Sequence, residues 1–305
     1  MGMLRAHFAD ELTPGFRKIF FDKFQDEEMQ MDKLFKVNTS EKDSEKDSSV
    51  SGFGLAAQTG EGAPIHYEDA LQGYDKTYVH VKYSNGYKVT LEMKEDGLYG
   101  TMNKLPAALG RCMRRTSEDQ AAKVFNNGFS STYADGADGK VLFSVSHPRP
   151  DGGTAQSNAS ATGIVFSEPN LETARIAFRK QLDDKGNKIG TMPKVLLVPV
   201  ELEKQAHLIV DSTQRSGTAD NDANFNKGRF QIIAWEYLTS TTAWFLLDKN
   251  NAELNWFWRR KPTFKTDELF DTEYAVYKST MRLSRSWSDW RATWGSAGDA
   301  AAYAN

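Results

Sequence analysis

The residues of this 305-residue chain that could do chemistry are few: five histidines, one cysteine and scattered acids. The densest grouping is His147-Pro148-Arg149-Pro150-Asp151, where a histidine, a base and an acid crowd together. General acid–base work needs a histidine oriented by a carboxylate, so this pair would suit a small α+β hydrolase using His147 and Asp151. No nucleophile motif lies nearby, and a proline-flanked histidine reads better as a turn element. His66 and His80 have no cysteine or acidic pair at metal-ligand spacing, and His80 fits a cross-strand packing role. Asp135-Gly136-Ala137-Asp138-Gly139 starts like a calcium loop but lacks its third acid and its closing glutamate, leaving successive turns. Asn38-Thr39-Ser40 and Asn158-Ala159-Ser160 match a glycosylation pattern, which has meaning only after secretion. No dinucleotide or P-loop glycine spacing follows the apolar run at 195–198, where Pro199 stands. Arg111, Arg114 and Arg115 make a basic patch that could face nucleic acid, although a solvated helix face pairing with a neighbour's acids is the commoner use. Neither a catalytic centre, a metal nor a cofactor is expected.

Composition narrows the class. With 38 basic and 41 acidic residues the net charge is -3, too little positive charge for non-specific grip on DNA. No apolar run approaches the roughly 18 residues of a membrane span, and the N-terminus leads into no apolar signal segment. Cys112 cannot form an internal disulfide and falls on an apolar helical stripe as a buried small hydrophobe, consistent with folding in a reducing cytoplasm. All seven tryptophans lie beyond position 234. A packed β-core accounts for Trp235, Trp244, Trp256 and Trp258, whereas Trp287, Trp290 and Trp294 sit in a polar tail where burial is harder.

The elements that would position these residues follow from periodicity. Phe16, Ile19, Phe20 and Phe24 give a helical stripe within 11–35, with its main apolar contacts expected outside its own core. Residues 40–49 alternate in charge without an apolar residue and read as an exposed linker. Alternation at 78–83 and 87–91 around Ser84-Asn85-Gly86 predicts a hairpin with an Asn-Gly turn, within a β-rich arm over 53–93 that projects onto another subunit. A long helix spans 98–127, with Pro106 in its first turn and a kink near Arg115-Thr116, where Ser117-Glu118-Asp119-Gln120 resembles a capping box. Residues 130–163 read as a surface loop with one short strand at 141–143. Then come a helix at 169–182, a strand at 195–199, a helix at 201–211, a polar loop at 217–228, and β runs at 230–238, 243–248, 254–260 and 274–283.

Phe143-Ser144-Val145-Ser146-His147 with Ser157-Asn158, the stretch from Pro193 to Leu202, and Trp244-Phe245-Leu246-Leu247-Asp248 together resemble the Mu-like major head subunit family. Gly52-Phe53-Gly54, Glu61-Gly62-Ala63-Pro64-Ile65 and Thr90-Leu91-Glu92 are similar to phage head proteins as well. The resemblance covers about 53–260 and implies an α+β, Hong Kong 97-type fold. Its parts would be an N-terminal arm at 1–52, an E-loop hairpin at 53–95, a peripheral domain with a long spine helix at 96–163, an axial domain with a central sheet flanked by helices at 164–262, and a C-terminal segment at 263–305 returning to the peripheral domain.

What the resemblance implies is a shell and no catalysis. The chain would be the major capsid protein of a tailed bacteriophage or prophage, forming hexamers and pentamers of an icosahedral head around double-stranded DNA. Inter-subunit contacts are expected at Glu61, Gly62, Pro64, Tyr67 and Tyr74 of the E-loop. The family's covalent cross-link needs a lysine; the arm offers Lys76, Lys82 and Lys88, and the sequence aligns none of them with a partner. No fused scaffolding segment precedes the arm, so a separate scaffolding protein is the expected helper, beside a portal and a decoration protein, with no membrane partner. The site of action would be the virion, after assembly in the host bacterial cytoplasm. An encapsulin-like compartment shell of the same fold and the His147/Asp151 hydrolase are the alternatives.

Overall fold

The computed structural model describes residues 8–26, 28–70, 72–96, 98–214, 223–269 and 274–303. Helices α1 (Phe8–Phe24) and α2 (Met31–Leu34) lead into strands β1 (Lys36–Thr39) and β2 (Ser44–Val50). After an irregular stretch come β3 (Gln72–Val79), β4 (Val81–Val89), short helices α3 (Leu91–Glu95) and α4 (Tyr99–Met102), and the long helix α5 (Lys104–Asn126). Helix α6 (Glu168–Arg179), β5 (Val195–Val198), α7 (Val200–Val210), β6 (Gln231–Ala234) and β7 (Trp244–Leu247) follow. Long strands β8 (Leu254–Leu269) and β9 (Tyr274–Trp287) and a short β10 (Thr293–Ser296) complete the order.

Three sheets result. One has the order β1-β8-β9-β4, with β1 parallel to β8 and the other pairs antiparallel. The second runs β10-β7-β5-β6, with β6 parallel to β5 and the rest antiparallel. The third is the two-stranded hairpin β2-β3. Helices α1 and α5 pack on the first sheet, and α6 and α7 on the second. One continuous core joins them, with Phe125 of α5 in ring contact with Phe35, Trp235 and Phe245.

Where the sequence periodicity was strong, the elements match. Helix α6 begins at Ser167, whose Oγ accepts from Asn170 N at 3.4 Å, and buries Leu171, Ala174 and Phe178. The succession β5–Pro199–α7 stands as expected. Pro106 lies in the first turn of α5.

Several expectations are corrected. The helix expected over 11–35 is two helices, and the first belongs to the chain's own core. Phe16 and Phe20, one turn apart, are buried, with ring centroids 5.3 Å from those of Tyr277 and Phe264 respectively. Gly110 makes this packing feasible, because a Cβ there would stand 2.5 Å from the Phe20 carbonyl oxygen. The supposed linker at 40–49 contains most of β2, which pairs with β3 over 72–79 and carries a Lys46–Asp75 ion pair of 2.8 Å. Both faces of that strand are largely solvated, so no apolar alternation announces it.

Asn85-Gly86 is not a turn. It lies inside β4, opposite Ser279 and Lys278, and a Cβ at Gly86 would meet the Tyr277 carbonyl at 2.6 Å. Glycine here serves close backbone approach rather than a positive φ. Strand β4 is therefore part of the first sheet and does not project with an arm. Helix α5 runs unbroken past Arg115: Ser117 Oγ donates back to Met113 O, and Glu118 is buried rather than capping. Residues 141–143 form no strand, yet Val141, Leu142 and Phe143 are core residues. All three tail tryptophans are buried as well; Trp294 on β10 lies 4.9 Å from Trp244 on β7. Cys112 is half-buried and accepts from Asn85 Nδ2 at 3.2 Å, so it is no core hydrophobe. Of the polar loop at 217–228, residues 217–222 lie outside the described residues.

Candidate functional site

The histidine singled out by the sequence is no turn element, because it is fully buried. His147 Nδ1 lies 2.6 Å from Asp138 Oδ2, Nε2 lies 3.1 Å from Asn158 Oδ1, and the ring stacks on Trp290 at 4.3 Å and 9°. Asp151 is elsewhere. It accepts from Gly153 N at 2.8 Å and pairs with Arg149, and its carboxyl is held below the ordinary range chiefly by that Gly153 N–H. The structure therefore does not bring His147 and Asp151 together, which removes the geometric basis of the hydrolase alternative. Among the described residues, no serine, threonine or cysteine side chain reaches either ring nitrogen of His147, so no nucleophile is in place.

What the cluster does is hold the chain. Asn158 is fully buried at its centre. Its Oδ1 accepts from Ser144 N at 2.9 Å; its Nδ2 donates to Leu142 O at 2.7 Å and to Thr293 Oγ1 at 3.1 Å. Gly295 N donates to the Asn158 carbonyl at 3.1 Å, and Asn158 N to Ser144 O at 3.1 Å. A loop without regular secondary structure is thereby fastened to β10, and Asn158 ties the Phe143–His147 and Ser157-Asn158 stretches to each other. Asp138 and Trp290, the other halves of the latch, carry no sequence signal that connects them to His147.

The second candidate region is the hairpin β2-β3 and the loop between its strands. Glu61, Gly62, Pro64 and Tyr67 lie on that exposed loop, with Gly62 at φ +74°. Tyr74 does not share this surface: it is half-buried in a small pocket with Ser49, Asp138, Asp184 and Arg291 of its own chain. Phe53, Leu55, Ile65 and Tyr67 leave between 66 % and 87 % of their surface in solvent. An apolar group of this kind is a surface waiting for a cover. Glu68 steadies the loop, accepting from Gly54 N at 2.7 Å and from Lys185 Nζ at 2.6 Å; the lysine is the main cause of its lowered pKa.

The base of the hairpin is bolted to the first sheet. Tyr78 is buried against Phe257, with its hydroxyl 3.1 Å from Asn255 Nδ2, and burial pushes its pKa up to about 12. Lys76, one of the three lysines offered for cross-linking, is buried on Asp135 at 2.5 Å; Lys82 and Lys88 remain exposed on β4. His80 sits between β3 and β4, its Nε2 3.0 Å from Ser40 Oγ and its Nδ1 3.0 Å from Ser284 Oγ. Ser40 Oγ donates to Glu45, so it accepts from His80 Nε2–H. His80 is thus a three-way tie rather than a simple cross-strand neighbour.

No group of His, Cys, Asp and Glu that could hold a metal occurs among the described residues, and none of their helices is long and apolar enough to cross a membrane. A long helix laid on a four-stranded sheet, a second mixed sheet and an outlying hairpin define a shell-subunit architecture, and comparison bears this out. The fold is the Hong Kong 97-type capsid fold. The bacteriophage JBD30 capsid matches with a TM-score of 0.55 at 15 % identity, over 72 % of this chain and 95 % of that one. The virus-like particle from Pyrococcus furiosus matches with a TM-score of 0.55 at 10 % identity, over 93 % and 99 % of the two chains. The phage capsid protein family model matches residues 73–295, and the chain belongs to that family. No curated protein sequence matches it.

Proposed function

We propose that the chain is the major capsid protein of a tailed bacteriophage or prophage, self-assembling into hexamers and pentamers of an icosahedral head around double-stranded DNA. The observation that carries this reading is the uncovered apolar loop of Phe53, Leu55, Ile65 and Tyr67 on a hairpin whose base is tied down. A second copy of the chain is the cover that a repeating shell supplies, and stable interfaces of this kind bury on the order of 1,600 Å² or more. Glu61, Gly62 and Pro64 belong to the same surface, while Tyr74 supports it from behind. The division into arm (1–52), E-loop (53–95), peripheral (96–163), axial (164–262) and C-terminal (263–305) parts is retained as a working scheme, with β2 serving the E-loop and β4 the body. Membership of the Mu-like branch belongs to the same proposal, supported by the Phe143–His147 and Ser157-Asn158 motif.

The protein acts by association alone, in the virion, after assembly in the host cytoplasm with a scaffolding protein, a portal and a decoration protein. Exposed helix α7, with Val200 and Leu208 half in solvent, offers a second self-contact surface. An encapsulin-like compartment of the same fold is the competing reading, supported by the near-complete overlap with the virus-like particle subunit. Size-exclusion chromatography with negative-stain microscopy tests the proposal. Closed shells are expected, and a stable monomer under all assembly conditions refutes it; DNA or protein content of particles made with host packaging components separates head from compartment.

A further inference from the structure

A cleft of about 510 Å³ opens where the α1–α2 turn, α5 and the chain after β6 meet. Its volume falls in the range of real ligand sites. The charges along it are unevenly satisfied. On the near wall Lys23 pairs with Asp26 at 2.6 Å and Lys33 with Glu28 at 2.9 Å. Glu118, at the back, is occupied by Trp235 Nε1 at 2.8 Å and Met31 N at 3.5 Å. Arg111 and Arg115, one helical turn apart on the floor, are exposed and make no hydrogen bond or ion pair with any described residue. The Arg111 charge acts at a distance on Asp26, but neither guanidinium has a hydrogen-bond partner among the described residues, and the two share one helix face about 6 Å apart at their Cβ atoms.

We propose that this cleft binds an acidic peptide segment of a partner protein, with Arg111 and Arg115 each taking a carboxylate. Alternate residues of an extended strand lie about 7 Å apart, so carboxylates at positions i and i+2 match the arginine pair. A guanidinium takes a carboxylate in a two-pronged, charge-assisted geometry that lysine does not reproduce. Half-buried Tyr237 offers a flat side wall for the segment. Asp26, Glu28 and Glu236 line the same walls, so a continuous run of phosphates would meet more repulsion than two carboxylates spaced to the arginine pair. Lysines flanking the two acids of the segment would meet these wall carboxylates, so that floor and rim are satisfied together. The proposal stands independently of shell formation.

The test is fluorescence anisotropy on the unassembled full chain with three probes: a labelled peptide of alternating Glu and Gly, its Gln–Gly counterpart, and a single-stranded oligonucleotide of equal charge. The acidic peptide is expected to bind at low salt, the Gln–Gly peptide not to bind, and the R111E/R115E pair to weaken acidic-peptide binding at least about ten-fold with an unchanged melting profile. The charge reversal Lys180→Glu with Lys204→Glu, on the α6–α7 side, should change binding less than about two-fold. If R111E/R115E unfolds the chain, Arg111→Gln with Arg115→Gln removes the charge without repulsion and must still weaken binding. Absence of acidic-peptide binding, binding indifferent to Arg111 and Arg115, or tighter binding of the oligonucleotide through the same arginines each overturns the proposal.

Discussion

Replacing Asn158 by alanine should unfasten the loop that precedes α6 from β10. The side chain satisfies Ser144 N–H and faces His147 Nε2 through its oxygen, and it supplies donors to Leu142 O and Thr293 Oγ1 through its nitrogen. All of this takes place at zero exposure, so water cannot fill in without a cavity. Each buried polar group left without a partner costs about 1–3 kcal/mol. Relaxation will rescue some of them; two stranded groups give an expected loss of about 3–4 kcal/mol. With an m-value of about 3 kcal/mol/M for a chain of this size, the urea midpoint should drop by about 1 M. Asn158→Asp keeps the acceptor but turns the donor into an oxygen facing Leu142 O, and should lose at least as much at neutral pH. Unassembled subunits are the sample, since assembly would add a concentration-dependent term. A midpoint shift below about 0.3 M at unchanged m for Asn158→Ala would refute the latch.

Gly110→Ala, which would gain about 0.8–1 kcal/mol in an ordinary helix, should instead cost about 1–3 kcal/mol through the clash with the Phe20 carbonyl; a stabilised variant in calorimetry contradicts that packing. His80 has its pKa lowered from 6.5 by burial first and then by Arg282 and Arg259, against the opposing pull of Glu45 and Asp43. The unfolded chain therefore binds its proton more readily, and the contribution of His80 to stability is present above pH 6.5 and lost as pH falls through the lower folded value. Wild type should lose more stability than His80→Asn between about pH 8 and about pH 5, and equal losses would remove His80 from the account. Changing Phe53, Leu55, Ile65 and Tyr67 together to serine should leave the melting temperature of the subunit within about 2 °C and abolish shells in negative stain; intact shells would place the apolar cover elsewhere.

Legibility in the sequence followed the range of the interactions. Helices α5 and α6 and the β5–Pro199–α7 succession are set by local period, with a side-chain cap at α6, and they stood out accordingly. Strand β2 did not, because its partner lies beyond an irregular stretch of about twenty residues and neither face carries an apolar stripe. The Asn-Gly pair misled for a related reason: glycine meets two demands, positive φ and close approach, and only the Tyr277 backbone shows which applies. The tail tryptophans gain their burial from distant partners: Trp294 from β7, almost fifty residues earlier, Trp290 from the ring of His147, and Trp287 from its place on β9 opposite Leu254. At the His147 cluster the motif was visible from family resemblance, but its partners Asp138 and Trp290 come together only in the folded chain.

The chain enters the β2-β3 hairpin after Ser40 and leaves it at His80, and these two residues touch. In mechanical terms the hairpin is a lever whose incoming and outgoing threads share one pivot. A pull on the loop at 51–70 first loads the Glu68–Lys185 pair, then Tyr78 against β8 and Lys76 against Asp135, and last the pivot, where Arg282 and Ser284 of β9 hold His80 and its carbonyl. Force that passes the Glu68–Lys185 pair is delivered to the β8-β9 strand pair. A closed surface made of such levers would carry its tension through sheets, while its helices act as filling.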